Sequence, residues 1–163
     1  MDHLIPVLQA GVDINAGGTT LLGSGVSAFL TTLIVGAILV ALLPEYTDRM
    51  IDEVADEPLS SFLYGFAAVL LLGILTLLLV LSVVGILLAI PLVAVAYICW
   101  AAGATLAFLA IAERLVSRAD GWLKPLLVAA GLNGGLALTG IGGLVSFVVG
   151  AVGFGTILRD YFG

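Results

Sequence analysis

Two uncharged stretches dominate the chain: Leu59 to Ala112, 54 residues without Asp, Glu, Lys or Arg, and Pro125 to Leu158, another 34. Runs above about 18 apolar residues read as helices that cross a bilayer. As a single helix at 1.5 Å per residue the longer run would reach about 81 Å, far beyond a hydrocarbon core of about 30 Å. It must turn once, and Gly85 to Pro91 is the expected corner, giving spans at 62–84 and 87–112. An earlier apolar run at 25–43 covers about 28 Å and supplies a first span. The final run would measure about 51 Å, too long for one crossing and short for two. Gly140-Ile141-Gly142-Gly143 marks its corner. That leaves arms at 122–139 and 141–158, which either cross fully or form a re-entrant hairpin.

Between the first two spans, residues 44–58 follow a different rhythm. Pro44 and Pro58 bracket the segment, and proline favours the first turn of a helix while ending one that precedes it. Tyr46, Met50 and Val54 recur every four residues, joined by Ile51, while Asp48, Asp52 and Asp56 lie on the other faces. The pattern predicts a short amphipathic helix lying along the membrane surface. Ahead of the first span, residues 1–24 carry glycines at 11, 17, 18 and 23 and read as a flexible lead. Asp2 and His3 stand where a secretory leader would be basic, so Leu21 to Leu43 is read as a retained span. The expected fold is all-α: a polytopic membrane bundle over residues 25–163, with five apolar helical segments and one surface helix.

Composition agrees, with 62% hydrophobic and 10% charged residues against about 25% charged in soluble domains. The formal net charge of −6 excludes nucleic acid as a natural partner, because phosphate binding needs a basic patch. Acidic water-facing residues in so apolar a chain suggest a haloarchaeal source. The basic residues are Arg49, Arg114, Arg118, Lys124 and Arg159, and the proposed corners put all five on one side. Cytoplasmic loops collect Lys and Arg. A multi-pass protein of the cell membrane follows, with its N-terminus outside and its C-terminus in the cytoplasm.

Candidate chemistry is sparse. Apart from Lys124 at the start of the 122–139 arm, no Asp, Glu, His, Lys or Arg falls inside a proposed span, which argues against a proton-coupled transporter. There is no HExxH or GxSxG motif, and His3 and Cys99 are the only residues of their kinds. No catalytic residue, cofactor or metal site is therefore expected. Asn133 is the most polar residue deep in an uncharged run. It is expected to make an interhelical hydrogen bond, with ligand contact as the alternative. Gly131, Gly134, Gly135, Gly140, Gly142 and Gly143 are candidate helix-packing positions, the first and third forming a GxxxG pair. Glu45, Asp48, Asp52 and Asp56 could line one strip that holds a divalent cation, but a hydrated acidic face is the ordinary reading.

A weak internal repeat runs through the chain. Asp48-Arg49-Met50 is echoed by Glu113-Arg114-Leu115, Pro58-Leu59 by Pro125-Leu126, Gly65 by Gly131, and Val84-Gly85-Ile86 by Thr139-Gly140-Ile141. The order of the pieces resembles the membrane domain that accompanies bactofilin-like, polymer-forming cytoskeletal proteins. The resemblance is carried by Leu42-Leu43-Pro44, Pro58-Leu59 leading to Gly65, Val83-Val84-Gly85-Ile86, and Ile141-Gly142-Gly143-Leu144-Val145. Two features depart from that pattern: the proline expected just after Ile86 comes only at Pro91, and the one expected before Gly142-Gly143 is missing from Leu138-Thr139-Gly140. No β-helical repeat precedes the first span, so the resemblance implies the membrane module by itself.

The expected function is a non-enzymatic membrane scaffold or anchor that meets lipid and either a protein partner or further copies of itself. A small channel or transporter subunit built on the glycine-rich hairpin, and an accessory subunit of a larger complex, are the alternatives. A cysteine placed at Asp52 in a Cys99→Ser background tests the orientation. Impermeant reagents should label it only after the cytoplasmic side is opened, and labelling from outside intact cells would reverse the topology.

Overall fold

The computed structural model describes residues 4–82, 84–119, 121–139 and 141–162, with side chains from Thr20 onward. Among the described residues there is no strand, and six helices follow one another: α1 (Leu4–Leu42), α2 (Pro44–Asp56), α3 (Pro58–Val80), α4 (Gly85–Leu115), α5 (Leu123–Ala137) and α6 (Gly142–Phe162). Four segments are long and apolar enough to cross a membrane: Thr20–Leu42, Pro58–Val80, Gly85–Leu115 and Gly142–Phe162. The fifth, α5, has 15 residues and extends only about 22 Å. The last hairpin therefore has unequal arms, a short α5 and a full-length α6. Helix α1 reaches back to Leu4, through the segment whose glycines suggest a flexible lead.

Pro44 and Pro58 each occupy the first turn of a helix, where a missing N–H leaves no hydrogen bond unmade. Pro91 behaves differently from expectation. It lies inside α4, and the corner falls earlier, between the end of α3 at Val80 and the start of α4 at Gly85. There the Leu81 N–H donates to the Leu77 carbonyl, the Ser82 N–H to that of Leu79, and the Ile86 N–H to that of Ser82. Gly85 then opens α4 because a Cβ would collide with the Leu79 carbonyl. Gly142 opens α6 in the same way, with its Cβ position occupied by the Leu136 carbonyl. The two hairpins thus share one corner design. The structural counterpart of Gly85 is Gly142, two residues beyond the Gly140 matched by sequence.

Helix α6 is the centre of the bundle, packing mainly on α3 and α4, while α5 packs on α1. Gly150, Ala151, Gly153, Phe154, Gly155, Thr156 and Ile157 are all buried. A Cβ at Gly153 would run into the Gly103 carbonyl of α4, and one at Gly155 into the Ser61 carbonyl of α3. From the other side, a Cβ at Gly65 would strike the Ala151 carbonyl. Ser61 and Gly65 on α3 therefore mesh with Ala151 and Gly155 on α6, a pair of small-xxx-small faces. Lipid tails are as apolar as leucine, so helices in a membrane associate through close packing of this kind rather than by escaping water. The outward surface is apolar: Leu71, Leu87 and Leu144 are among its exposed side chains.

Helix α2 closes one end of the bundle. Its apolar stripe, expected to lie in the membrane surface, is instead buried in protein. Met50, Ile51 and Val54 join Leu39, Leu106, Leu109 and Ile157 in one core. The helix is amphipathic as its pattern predicts, but α1, α4 and α6 supply the apolar partner in place of lipid.

Glycine substitutions separate packed from open positions. Gly65→Leu should prevent a stable fold, because the α6 backbone leaves no room. Gly135→Leu should hold or raise stability, since a Cβ there meets nothing and glycine costs about 1 kcal/mol in a helix interior. Ser61→Ala should be neutral or stabilising, because the buried Ser61 hydroxyl has no hydrogen-bond partner. Detergent unfolding checks all three, and a stable Gly65→Leu protein would contradict the packing.

Candidate functional site

Asn133 stands where three helices meet. Its Nδ2 donates to Thr32 Oγ1 of α1 at 2.8 Å, and its Oδ1 accepts from Ser146 Oγ of α6 at 3.1 Å. One α5 amide thereby ties α1, α5 and α6 together, using both ends of its dipole. Thr32 is 2% exposed, so its hydroxyl could not turn to water instead. Counted from the α2 end, Thr32 is ten residues from Leu42, Asn133 ten from Leu123 and Thr105 ten from Leu115. All three lie about 15 Å from that end, near the middle of a 30 Å core.

The knot forms the floor of a groove of about 370 Å³ between α1, α4 and α5. Ser24, Ser27, Thr31, Tyr97 and Trp100 line its walls. Their helices place them: Ser24, Ser27 and Thr31 recur at intervals of three and four, along one face of α1. Trp100 is fixed from behind by Phe147 and Phe154, with ring centroids 5.4 and 5.7 Å away. It also rests on Gly150, where a Cβ would come within 2.6 Å of the indole. Sequence reasoning found Asn133 and passed over the groove. The hydroxyl stripe of α1 was a readable signal, but Tyr97 and Trp100 join it only through the packing of α4.

The glycine positions divide. Gly134 packs against α1, where a Cβ would approach the Gly25 carbonyl and Phe29 Cβ to 2.9 Å each. Gly142 serves the corner. Gly131, Gly135 and Gly143 face open space, so the GxxxG pair of 131 and 135 makes no intramolecular seam. Gly140 lies outside the described residues. The seams that do form run through Gly65, Gly103, Gly153 and Gly155, which are scattered in sequence and meet only in the fold.

At the α2 end, charge is paired. Arg159 at the end of α6 donates through Nε and Nη2 to Glu53 Oε1 at 3.1 and 2.8 Å, and through Nη1 to Glu57 Oε2 at 2.6 Å and Ser60 Oγ at 3.1 Å. Arg49 pairs with Asp160 at 2.9 Å. Arg118 pairs with Asp48 and, at 3.2 Å, with Glu113, and stacks 4.2 Å from the Trp122 ring centre. Burial alone would lower the Arg118 pKa, but the Asp48 hydrogen bond and the nearby carboxylates raise it. Arg114 reaches the Ala55 carbonyl at 3.3 Å. Asp52 and Asp56 remain exposed. No three metal-ligating side chains converge among the described residues, and Asp48 turns to Arg118 instead of joining the acidic strip.

Asn133→Leu should lower detergent stability by about 1 kcal/mol, the sum of two interhelical hydrogen bonds at about 0.6 each. Unchanged unfolding would show that the knot contributes nothing.

No curated protein and no solved structure matches the chain. Residues 9–163 match a family described as a domain of unknown function, DUF8173. The match covers nearly the whole sequence, so the chain belongs to the DUF8173 family.

Proposed function

We propose that this protein is a non-enzymatic anchor or scaffold of the cell membrane, with α2 and the C-terminus in the cytoplasm. The observation that carries this reading is the tight packing at the centre. Helix α6 meets α3 and α4 backbone to backbone at Gly155 and Gly153, and α2 is held across one end by Arg159, Arg49 and Arg118. A rigid cap that keeps Asp52 and Asp56 in water suits a surface offered to another protein better than a gate that must open.

Three further features support it. No Asp, Glu, Lys or Arg lies between Leu59 and Ala112 or between Pro125 and Leu158, where a proton or ion pathway would use such groups. Arg49, Arg114, Arg118 and Arg159 gather around α2, and the inside bias of Lys and Arg makes that end cytoplasmic. The resemblance to the membrane domain of bactofilin-like polymer-forming proteins leads to the same role by analogy. The first crossing then runs inward, α3 and α4 form one hairpin, and α5 and α6 form a second whose end returns to the cap. An acidic cytoplasmic face would also suit a high-salt cytoplasm.

Mild extraction from native membrane, followed by purification through a terminal tag, tests the role. A protein partner should remain in fixed ratio, and Arg159→Gln should weaken its retention by loosening the cap. Proteoliposomes carrying the pure protein should pass no ions or small solutes above empty vesicles. Solute flux, or purification as a single component with no higher assembly, would contradict the anchor.

A further inference from the structure

The groove over Asn133 runs from Thr31, near the middle of the helices, toward Ser24 and Tyr97 at the end away from α2, and presents hydrogen-bonding groups along its length. Among the described residues, the Ser27, Thr31 and Tyr97 hydroxyls and the Trp100 indole N–H take no part in any hydrogen bond, although all four line the groove. Polar groups left facing hydrocarbon are costly, and a protein carries several together only where something satisfies them. Tyr97 is 64% exposed and Ser27 is exposed as well, so the groove opens on the bundle surface, from which a membrane-dissolved molecule could enter.

The chemistry of the lining restricts that molecule. The Trp100 indole only donates, and hydroxyls donate readily, so the occupant should bring acceptor oxygens. Among the described residues, no Asp, Glu, Lys, Arg or His lines the groove, and an ion in so apolar a setting would lack compensation. The occupant is therefore uncharged. A volume of about 370 Å³ exceeds a single water, whose share of liquid is about 30 Å³, and admits the head of a lipid. The far walls are apolar, with Ala28, Ala101 and Ala104 between the polar positions, as an amphiphile requires.

We propose that this groove binds an uncharged lipid whose head carries ester, ether or hydroxyl oxygens, of the diacylglycerol or dialkylglycerol class, with its oxygens toward Ser27, Thr31 and Trp100. The site is separate from the α2 cap and does not depend on the anchor reading, since the two lie about 15 Å or more apart along the helices. An anchor that recognised such a lipid would be sensitive to the composition of the bilayer around it.

Trp100 reports on the site directly. In a Trp122→Phe protein held in mild detergent, its emission is followed during titration with 1,2-dioctanoylglycerol, and separately with dioctanoyl phosphatidate, which has the same tails and an anionic head. The expected result is a saturable change with the neutral lipid and binding at least fivefold weaker with phosphatidate. Ser27→Ala with Thr31→Val should weaken the neutral lipid at least fivefold. Both positions sit on the groove wall outside the Asn133 knot, and an unchanged unfolding transition confirms that the double variant is folded. A response that never saturates, equal affinity for both lipids, or full affinity in the folded double variant would each overturn the proposal.

Discussion

The contact between the α6 backbone and the backbones of α3 and α4 sets the rest of the structure. Hydrocarbon gives helices no hydrophobic reason to associate, so cohesion must come from dispersion and hydrogen bonding at short range. Glycine and serine at 61, 65, 103, 153 and 155 remove the side chains that would hold the axes apart. Each glycine weakens its own helix by about 1 kcal/mol relative to alanine, and the close approach offsets that weakness. Because α6 is gripped from two sides, α5 is left to cover α1, and its short length is tolerated.

Order at the cap is electrostatic and apolar at once. Met50 and Ile51 are 0% and 3% exposed, which alone would hold α2 against the bundle. The arginines decide its orientation. Exposed ion pairs are worth only about 0–1 kcal/mol each, but those of Arg159 are different in kind. Its guanidinium fork engages the carboxylates of Glu53 and Glu57 together with the Ser60 hydroxyl, fixing the end of α6 to both α2 and the start of α3. The polar end is thus one connected unit built from three chain segments.

Much of this was legible in the sequence. The long apolar runs were readable because the bilayer imposes a length, and Pro44 and Pro58 marked helix starts because their missing N–H is harmless there. Pro91 misled for a related reason: proline usually ends a helix in water, but in a membrane bundle neighbouring groups accommodate it and α4 continues. Of the dense glycines from 131 to 143, Gly134 and Gly142 do pack, but the central seams run through Gly65, Gly103 and Gly153. Sequence density does not reveal which face of a helix meets another, and Gly131 and Gly135 turned out to look away from the bundle. Asn133 stood out by its polarity. Thr32 and Ser146, its partners, did not, because hydroxyl residues are ordinary in apolar helices until their registers are known.

Solid-state NMR on protein labelled with ¹³C only at glycine, reconstituted in bilayers, addresses the central packing without perturbing it. Close backbone approach predicts through-space Cα cross-peaks between Gly103 and Gly153 and between Gly65 and Gly155, and none between Gly135 and any glycine of α3, α4 or α6. Absence of the first two cross-peaks in a folded sample would contradict the α6-centred bundle.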